Sequence, residues 1–235
     1  MKIPSSSEFL SLWERGQRMH PLDQGLLALQ AAEVRSSYEE LAALPLGQRN
    51  CELLALHAAC FSEAVAGWTD CPECGQRLEF ELNTGDLMSQ HTGGSQPVVT
   101  AGGLAFRLPN SSDLAAAARE QDLRSAAVRL LDSCVLEPTH QAATWSDDQI
   151  AEVGNRMALA DPLAKTRLDM TCSACGHSWV ELLDVTMFLW IEVDGEVRRL
   201  LHDVHLLASH YGWSEAEILA LSEWRRSLYR EMVQA

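Results

Sequence analysis

Two stretches of the sequence share one pattern: Cys71-Pro72-Glu73-Cys74-Gly75 and Cys172-Ser173-Ala174-Cys175-Gly176. In each stretch, a gap of two residues lets both sulfurs of a tight turn point at one ion. The glycine that follows can adopt the positive φ that such a turn requires. Two turns of this kind supply four thiolates, which fill the tetrahedral coordination shell of Zn²⁺. We therefore predict one zinc ion, bound by Cys71, Cys74, Cys172 and Cys175.

The residues beside both turns alternate between apolar and polar side chains, as the strands of a β-hairpin do. Arg77-Leu78-Glu79-Phe80-Glu81-Leu82 leaves the first turn, and Ser178-Trp179-Val180-Glu181-Leu182 leaves the second. Two hairpins that share one metal make a zinc ribbon. Because four thiolates leave no open position for water or substrate, the metal should be structural and not catalytic. The alternatives are two independent dithiols and a ribbon without its metal, but neither explains why two distant segments carry the same pattern.

Helical patterns surround the two hairpins. The predicted fold class is mainly α, with a small β zinc ribbon of two hairpins inserted between helical segments. The predicted organisation is an N-terminal helical segment at 1–62, a split zinc ribbon at 63–183 (63–83 and 163–183) with an inserted loop and helices at 84–162, and a C-terminal helical segment at 184–235. Within the insertion, glycine and proline residues at 83–103 predict a solvated loop that carries a short hairpin of 98–100 against 104–108.

Helix starts and one long helix are predicted from local signals. Ser5, Ser146 and Ser214 each open a capping box with the acidic or amide side chain three residues later. A long helix should run from Asp184 to Gly212, because apolar residues recur there at steps of three and four. These residues are Leu189, Val193, Val197, Leu200, Val204, Leu207 and Tyr211. Asp194-Gly195 could instead form a hairpin turn, but the apolar pattern continues through it and favours the helix.

The composition is typical of a soluble globular protein, with 47% hydrophobic residues and a formal net charge of −15. No apolar run approaches the ~20 residues that a membrane helix needs, and the N-terminus has no apolar signal core. We therefore predict a cytoplasmic protein without a membrane span. Outside the two turns, Cys51, Cys60 and Cys134 lie in apolar helical surroundings, where a buried thiol behaves as a small hydrophobe. A disulfide framework is not expected, and a reducing compartment fits this pattern.

The negative net charge also indicates which kinds of partner the protein can bind. Zinc ribbons often bind nucleic acid, but contact with phosphates needs clustered lysine and arginine residues. This chain has two lysines, Lys2 and Lys165, and its arginines are scattered apart from Arg198-Arg199 and Arg225-Arg226. The sequence therefore disfavours nucleic-acid binding and favours protein partners with basic faces. A zinc-ribbon transcription factor or nucleic-acid-binding regulator stays open as the alternative function.

Other candidate chemistry is weaker. His202, His205 and His210, together with Asp203, could suggest a second metal site, but no pair of carboxylates with ligand spacing accompanies them. His57 is expected to be a hydrogen-bonded core histidine, and His177 could donate a hydrogen bond to a cysteine thiolate. The sequence contains no nucleophile elbow, phosphate-binding loop or dinucleotide fingerprint. We therefore predict that the protein is not an enzyme.

The C-terminal part resembles a known family. The runs Arg198-Arg199-Leu200-Leu201-His202-Asp203-Val204-His205-Leu206-Leu207-Ala208, Tyr211-Gly212-Trp213-Ser214-Glu215-Ala216-Glu217-Ile218-Leu219-Ala220-Leu221 and Trp224-Arg225-Arg226 through Tyr229 are similar to the ending of baseplate hub assembly proteins. These occur in T-even-type contractile phage tails and in related extracellular contractile injection systems. The segment from Phe106 to Leu114 resembles the middle of that family. The paired cysteine turns resemble those of its zinc-bearing members and depart from the shortest family pattern.

The resemblance implies a non-enzymatic helper, made in the cytoplasm of a bacterial producer cell, that acts on the central hub and spike proteins of a baseplate. Whether the helper stays in the finished particle is not implied. The residues that we expect at the partner surface are Trp213, Trp224, Arg225, Arg226 and Tyr229, because aromatic and arginine side chains often dominate the binding energy of an interface.

Overall fold

The computed structural model describes residues 2–32, 37–89, 98–136 and 145–234, and most of them are α-helical. The helices are α1 Ser6–Gly16, α2 Pro21–Ala31, α3 Tyr38–Ala42, α4 Leu46–Cys60, α5 Thr84–Ser89, α6 Ser111–Ala117, α7 Leu123–Cys134, α8 Asp147–Ala160, α9 Val185–Tyr211, α10 Glu215–Leu219 and α11 Glu223–Gln234, with a short 3₁₀ helix at Pro162–Lys165. Within these described ranges, no helix combines the length and the apolar composition needed to cross a membrane.

The strands of the described residues form three antiparallel hairpins. They are β1 Ala64–Asp70 with β2 Arg77–Asn83, β3 Val99–Ala101 with β4 Leu104–Phe106, and β5 Arg167–Thr171 with β6 Ser178–Leu182. The last pair of the first hairpin joins Asp70 to Arg77, and the last pair of the third joins Thr171 to Ser178. Each cysteine turn therefore lies at the tip of its own hairpin. A mainly α fold with small hairpins at both turns, as predicted, is confirmed.

The helix α9 is the centre of the first hydrophobic core. Its buried side chains follow the predicted steps of three and four: Leu189, Val193, Val197, Leu200 and Leu207. The helices α1, α2 and α4 pack against it, so segments on both sides of the ribbon share one core. Asp184 caps the start of α9 by accepting the Met187 N–H (3.1 Å), and Gly212, with φ +70°, ends it. Gly195 lies inside the helix, which confirms the helical interpretation of Asp194-Gly195.

A second, smaller core lies between the hairpin β3–β4 and the helices α7 and α8. Phe106 is fully buried there, and its ring centre lies 5.8 Å from that of Trp145. The carboxylate of Asp161, at the end of α8, accepts the backbone N–H of Gly47 in α4 (2.8 Å). This bond and the one from the N–H of Leu46 to the carbonyl oxygen of Pro109 (3.1 Å) join α4 of the first core to the segments of the second.

Several local predictions can be compared with the structure. The capping boxes at Ser5, Ser146 and Ser214 are confirmed. The hairpin within 98–108 is confirmed too, whereas the loop expected from residue 83 is wrong over Thr84–Ser89, which is α5. The side chain of Asn83 accepts the N–H groups of Gly85 (2.8 Å) and Asp86 (3.2 Å) and so starts a helix there. The middle of that predicted loop, 90–97, lies outside the described residues.

Three cysteines and one histidine belong to the cores. Cys134 is fully buried, and burial raises the pKa of its thiol to about 12. Cys51 and Cys60 are half-buried, and none of the three forms a disulfide. His57 is 2% exposed, and its Nδ1 lies 2.9 Å from the carbonyl oxygen of Ser62, which confirms a hydrogen-bonded core histidine.

Candidate metal centre

The first cysteine turn is held by its own backbone. The N–H of Gly75 donates to the carbonyl oxygen of Cys71 (2.8 Å), and the N–H of Cys71 donates to that of Gln76 (2.9 Å). Gly75 has φ +72°, a value that residues with a Cβ rarely adopt. The turn is therefore closed by local bonds before any metal is considered.

The second turn repeats this geometry. The N–H of Gly176 donates to the carbonyl oxygen of Cys172 (2.9 Å), the N–H of Cys172 donates to that of His177 (2.8 Å), and Gly176 has φ +74°. Because the two turns are alike in bonds and in backbone angle, each presents its two sulfurs in the same way.

The two turns meet, and the four sulfurs lie within 4.8 Å of one another. The Sγ atoms of Cys71 and Cys175 are 3.7 Å apart, and those of Cys74 and Cys172 are 3.6 Å apart. Sulfurs about 2.3 Å from a tetrahedrally coordinated zinc would lie about 3.8 Å from one another. The spacing and the donor type therefore fit a single metal ion, and the described residues contain no other group of three or more potential ligands this close.

The cluster is half open to solvent. Cys71 and Cys172 are buried, one from each turn, whereas Cys74 and Cys175 are exposed. Hydrogen bonds from the backbone N–H groups of Cys175 and Ala174 lower the pKa of the Cys172 thiol to about 7. In the same turn, a backbone bond lowers the pKa of Cys175, but partial burial and the neighbouring thiols outweigh it and raise that pKa to about 12. The turn therefore favours the thiolate, the form of cysteine that binds metal, at Cys172 and not at Cys175.

Contacts beside the sulfurs hold the two hairpins in place. The hydroxyl of Thr69 in β1 donates to the Glu181 carboxylate in β6 (2.8 Å), and this bond lowers the pKa of Glu181. The first hairpin is also anchored to α9, because the rings of Phe80 and Phe188 lie 6.0 Å apart, edge to face. A Cβ at Gly67 would come within 2.6 Å of the Phe188 ring, so this close approach requires glycine.

The predicted partner-surface residues lie in different environments. Trp224 is 72% exposed and Arg225 is exposed, both on α11. Trp213 is half-buried, and its ring stacks on Tyr211 (4.7 Å between centres) and meets Tyr229 edge to face (4.9 Å). Trp213 and Tyr229 therefore belong to an aromatic cluster that holds α11 against the end of α9.

Arg226 does not fit the predicted surface, because it is only 3% exposed. Its Nε donates to the carboxylate of Asp203 (3.1 Å), and Nη1 donates to the hydroxyl of Ser6 in α1 (3.2 Å). Arg230 donates to the other oxygen of Asp203 (3.0 Å). We call these four residues the Asp203 cluster. It joins α1, α9 and α11, so Arg226 is corrected from a surface residue to an internal one.

The apolar pattern of α9 predicts Val204 as a core position, so it does not predict the Asp203 cluster. In the structure Asp203 is buried and Val204 is half-buried. The signal was present, since Asp203 lies three residues after Leu200 and four before Leu207. His202, His205 and His210 are exposed.

Comparison with known proteins gives a family. A family model described as T4 bacteriophage base plate protein matches residues 30–190, which include both cysteine turns and end within α9. No curated protein and no solved structure matches the chain. Because the match covers more than half of the sequence, the chain belongs to the family of T4 bacteriophage base plate proteins.

Proposed function

We propose that this protein is a non-enzymatic, baseplate-associated assembly factor of a contractile phage tail or a related injection system. On this proposal it binds hub or spike proteins through its helical regions, carries one structural Zn²⁺, and acts in the cytoplasm of the bacterial producer cell. Family membership is the observation that carries the proposal, because it supports a role in the baseplate. The hub and spike partners come from the resemblance of the C-terminal part to baseplate hub assembly proteins, and the zinc and the binding surface are inferred from this chain's own residues.

Zinc is supported by four cysteine sulfurs at a spacing suited to one ion. Cys71 and Cys74 would hold it from one hairpin tip, and Cys172 and Cys175 from the other. The bound ion would supply a rigid cross-link between the tips and no reaction. Thr69 and Glu181 would keep the two hairpins aligned beside it.

The proposed partner surface is the exposed side of α11. Trp224 and Met232, which are 72% and 66% exposed, lie eight residues apart with Leu228 between them, so all three share one helix face. An exposed tryptophan on such a face is the kind of side chain that anchors a protein interface. The net charge of −15 suggests that the partner presents basic residues around this apolar contact.

The nucleic-acid alternative is not favoured. Of the four arginines in adjacent pairs, Arg198 and Arg199 form ion pairs with Asp194 and Glu196 on α9, and Arg226 is buried in the Asp203 cluster. These cations are therefore already opposed by carboxylates and do not form a free basic patch for phosphates.

The proposal is tested with the full chain and the purified hub and spike proteins of the same system. Wild-type protein should bind one of them, and Trp224→Ala should weaken that binding at least ~10-fold, because a buried interface tryptophan often contributes more than ~1.4 kcal/mol. Leu123→Ala is the matched control, since Leu123 is a 91% exposed apolar side chain on α7. Binding should be unchanged in this variant.

Two results would contradict the proposal. Absence of binding to every hub and spike protein would remove the assembly role. Equal weakening by Trp224→Ala and Leu123→Ala, with melting temperatures unchanged, would remove α11 as the specific surface while leaving the assembly role in place.

A further inference from the structure

A cavity of about 290 Å³ lies between the start of α2, the first turns of α4 and the N-terminus of α9. Its wall includes Leu22, Arg49, Lys165, Thr166, Asp184 and Thr186. We call it the Arg49 cavity. It is separate from the cysteine cluster and from the exposed side of α11.

Arg49 is a buried cation, 7% exposed, that forms no ion pair with a carboxylate among the described residues. The nearest charge that acts on it is that of Asp184, in the same cavity wall. Three of its five N–H donors bond to the side chains of Asn50 and Ser111. Burial lowers the pKa of Arg49, and the charge of Asp184 opposes that change. An unpaired charge in such a site is costly unless an anion accompanies it.

Thr166 contributes a second unsatisfied group. The residue is 5% exposed, and its hydroxyl oxygen is buried and has no hydrogen-bond partner in the described part of the chain. Its backbone oxygen, in contrast, accepts the N–H of Leu183 (3.0 Å). A buried hydroxyl without a partner is uncommon in folded proteins, and Thr166 belongs to the wall of the Arg49 cavity.

The electrostatics of the cavity favour one negative charge. The N-terminus of the 27-residue helix α9 adjoins it and carries the positive end of the helix dipole. Arg49 and Lys165 bring two positive charges and Asp184 brings one negative charge, so a single monoanion balances them. Lys165 is one of only two lysines in the chain. A phosphate dianion would exceed this balance beside Asp184.

We propose that the Arg49 cavity binds a carboxylate carried on a small apolar group. Arg49 holds the carboxylate, Thr166 donates its hydroxyl hydrogen to it, and Lys165 lies at the entrance. Leu22 and other apolar residues of the wall contact the apolar part of the ligand. Such a group can come from a free organic acid or from the C-terminal residue of a partner chain.

The test uses the full, metal-loaded protein and two probes that differ only in charge, N-acetylleucine and N-acetylleucinamide. Calorimetric titration should show binding of the acid, with the amide at least ~10-fold weaker, because the amide lacks the negative charge that Arg49 would bond. A peptide with a free C-terminal leucine is titrated in parallel. Tighter binding of the peptide than of N-acetylleucine identifies a chain terminus as the source, and the reverse order identifies a free acid.

Variants locate the site. Arg49 also donates hydrogen bonds to Asn50 and Ser111, so replacing it can unfold the protein. The test therefore uses two milder substitutions. Thr166→Val should weaken binding of the acid roughly 3- to 10-fold without lowering the melting temperature of the free protein, because it removes a hydroxyl that has no partner. Lys165→Gln should weaken it roughly 3-fold, whereas Lys2→Gln, a change of the other lysine, should leave it unchanged.

Three results would overturn the proposal. They are the absence of binding by the acid at millimolar concentrations, equal affinity for the acid and the amide, and an affinity that neither Thr166→Val nor Lys165→Gln changes. None of them depends on hub or spike proteins, so failure here is distinct from failure of the proposed function.

Discussion

The cysteine cluster and the Asp203 cluster both join distant parts of the chain, but they do so in different ways. Cys71 and Cys175 lie 104 residues apart at two hairpin tips, and two of the four cysteines of the cluster are exposed. Arg226 lies 220 residues from Ser6, and the side chains of Arg226 and Asp203 are both 4% exposed. One cross-link is formed from soft sulfurs near the surface, and the other from buried charges between helices.

The two clusters differ in which parts of the protein must fold before the cluster can form. Each cysteine turn is closed by its own backbone bonds, so a metal needs only to bring two finished halves together. The Asp203 cluster exists only after α1, α9 and α11 have packed, because each supplies one part of it. Removing a bound metal should therefore release the two hairpin tips from each other, and breaking the ion cluster should weaken the helical packing.

The largest effect is expected for Cys172→Ser, because it removes a buried ligand. Metal binding to a structural tetrathiolate contributes on the order of 10 kcal/mol in small zinc domains. We expect one zinc ion per wild-type chain and a strong loss of it in the variant, together with a lower melting temperature. Elemental analysis and calorimetry measure both quantities. Cys60→Ser is the control, since it changes a half-buried cysteine outside the cluster; equal zinc content in both variants would exclude the four-cysteine site.

The second-largest effect on stability is expected for Arg226, and the exposed arginine beside it serves as the control. Arg226→Gln should lower the free energy of unfolding by about 3–5 kcal/mol, because it leaves the buried Asp203 without its main cation. Arg225→Gln, one residue away and exposed, should change it by less than about 0.5 kcal/mol. Urea unfolding of the metal-loaded variants measures the difference.

A double variant sharpens this test. The double variant Asp203→Asn with Arg226→Gln should lose less free energy of unfolding than the two single variants lose together. The second change removes a charge that the first left unpaired. Additive effects would show that the two side chains do not stabilise each other.

The comparison also shows what the sequence could predict. The cysteine turns were predictable because both ligands of each half lie in five consecutive residues, and local bonds fix their geometry. The partners of Asp203 lie on three helices, so their contact depends on how those helices pack. The three-four spacing of apolar residues in α9 places Asp203 on the buried face, between Leu200 and Leu207. It does not show which arginine of the 225–226 pair faces inward. For the same reason, Arg49 and Thr166 gave no signal in the sequence.

The bond between Asp161 and Gly47 is another contact between distant segments, and two glycine substitutions test how closely the chain packs there and in α9. A Cβ at Gly47 would lie 1.6 Å from a carboxylate oxygen of Asp161, so Gly47→Ala should destabilise the protein by about 1–3 kcal/mol. Gly195 also lies inside a helix, but a Cβ there meets no atom within 4 Å. Gly195→Ala should therefore stabilise the protein by about 0.5–1 kcal/mol. Thermal unfolding distinguishes the two, and destabilisation by Gly195→Ala would contradict this account of α9.

The smallest effect is expected at Asp194, whose side chain is more exposed than those of Asp203 and Asp161. Its two oxygens accept from Arg198 (2.6 Å) and from the indole N–H of Trp13 in α1 (2.7 Å). Both bonds lower the pKa of Asp194, with Arg198 the larger cause. Its charge therefore stabilises the fold above the ordinary pKa near 3.8, and this contribution is lost as the pH falls through the lowered value.

Asp194→Asn keeps an acceptor for Trp13 and removes only the charge. Because Arg198 is largely exposed, the variant should be about 0.2–1 kcal/mol less stable than the wild type at neutral pH. As the pH falls from the ordinary pKa of 3.8 through the lowered value, the difference should shrink, since the wild-type carboxylate is then protonated too. Urea unfolding of both proteins at the same pH cancels any shared loss of metal in acid. A difference that stays constant with pH would assign the contribution of Asp194 to its shape and hydrogen bonding, and would separate this exposed cross-link from the buried, charge-dependent one at Asp203.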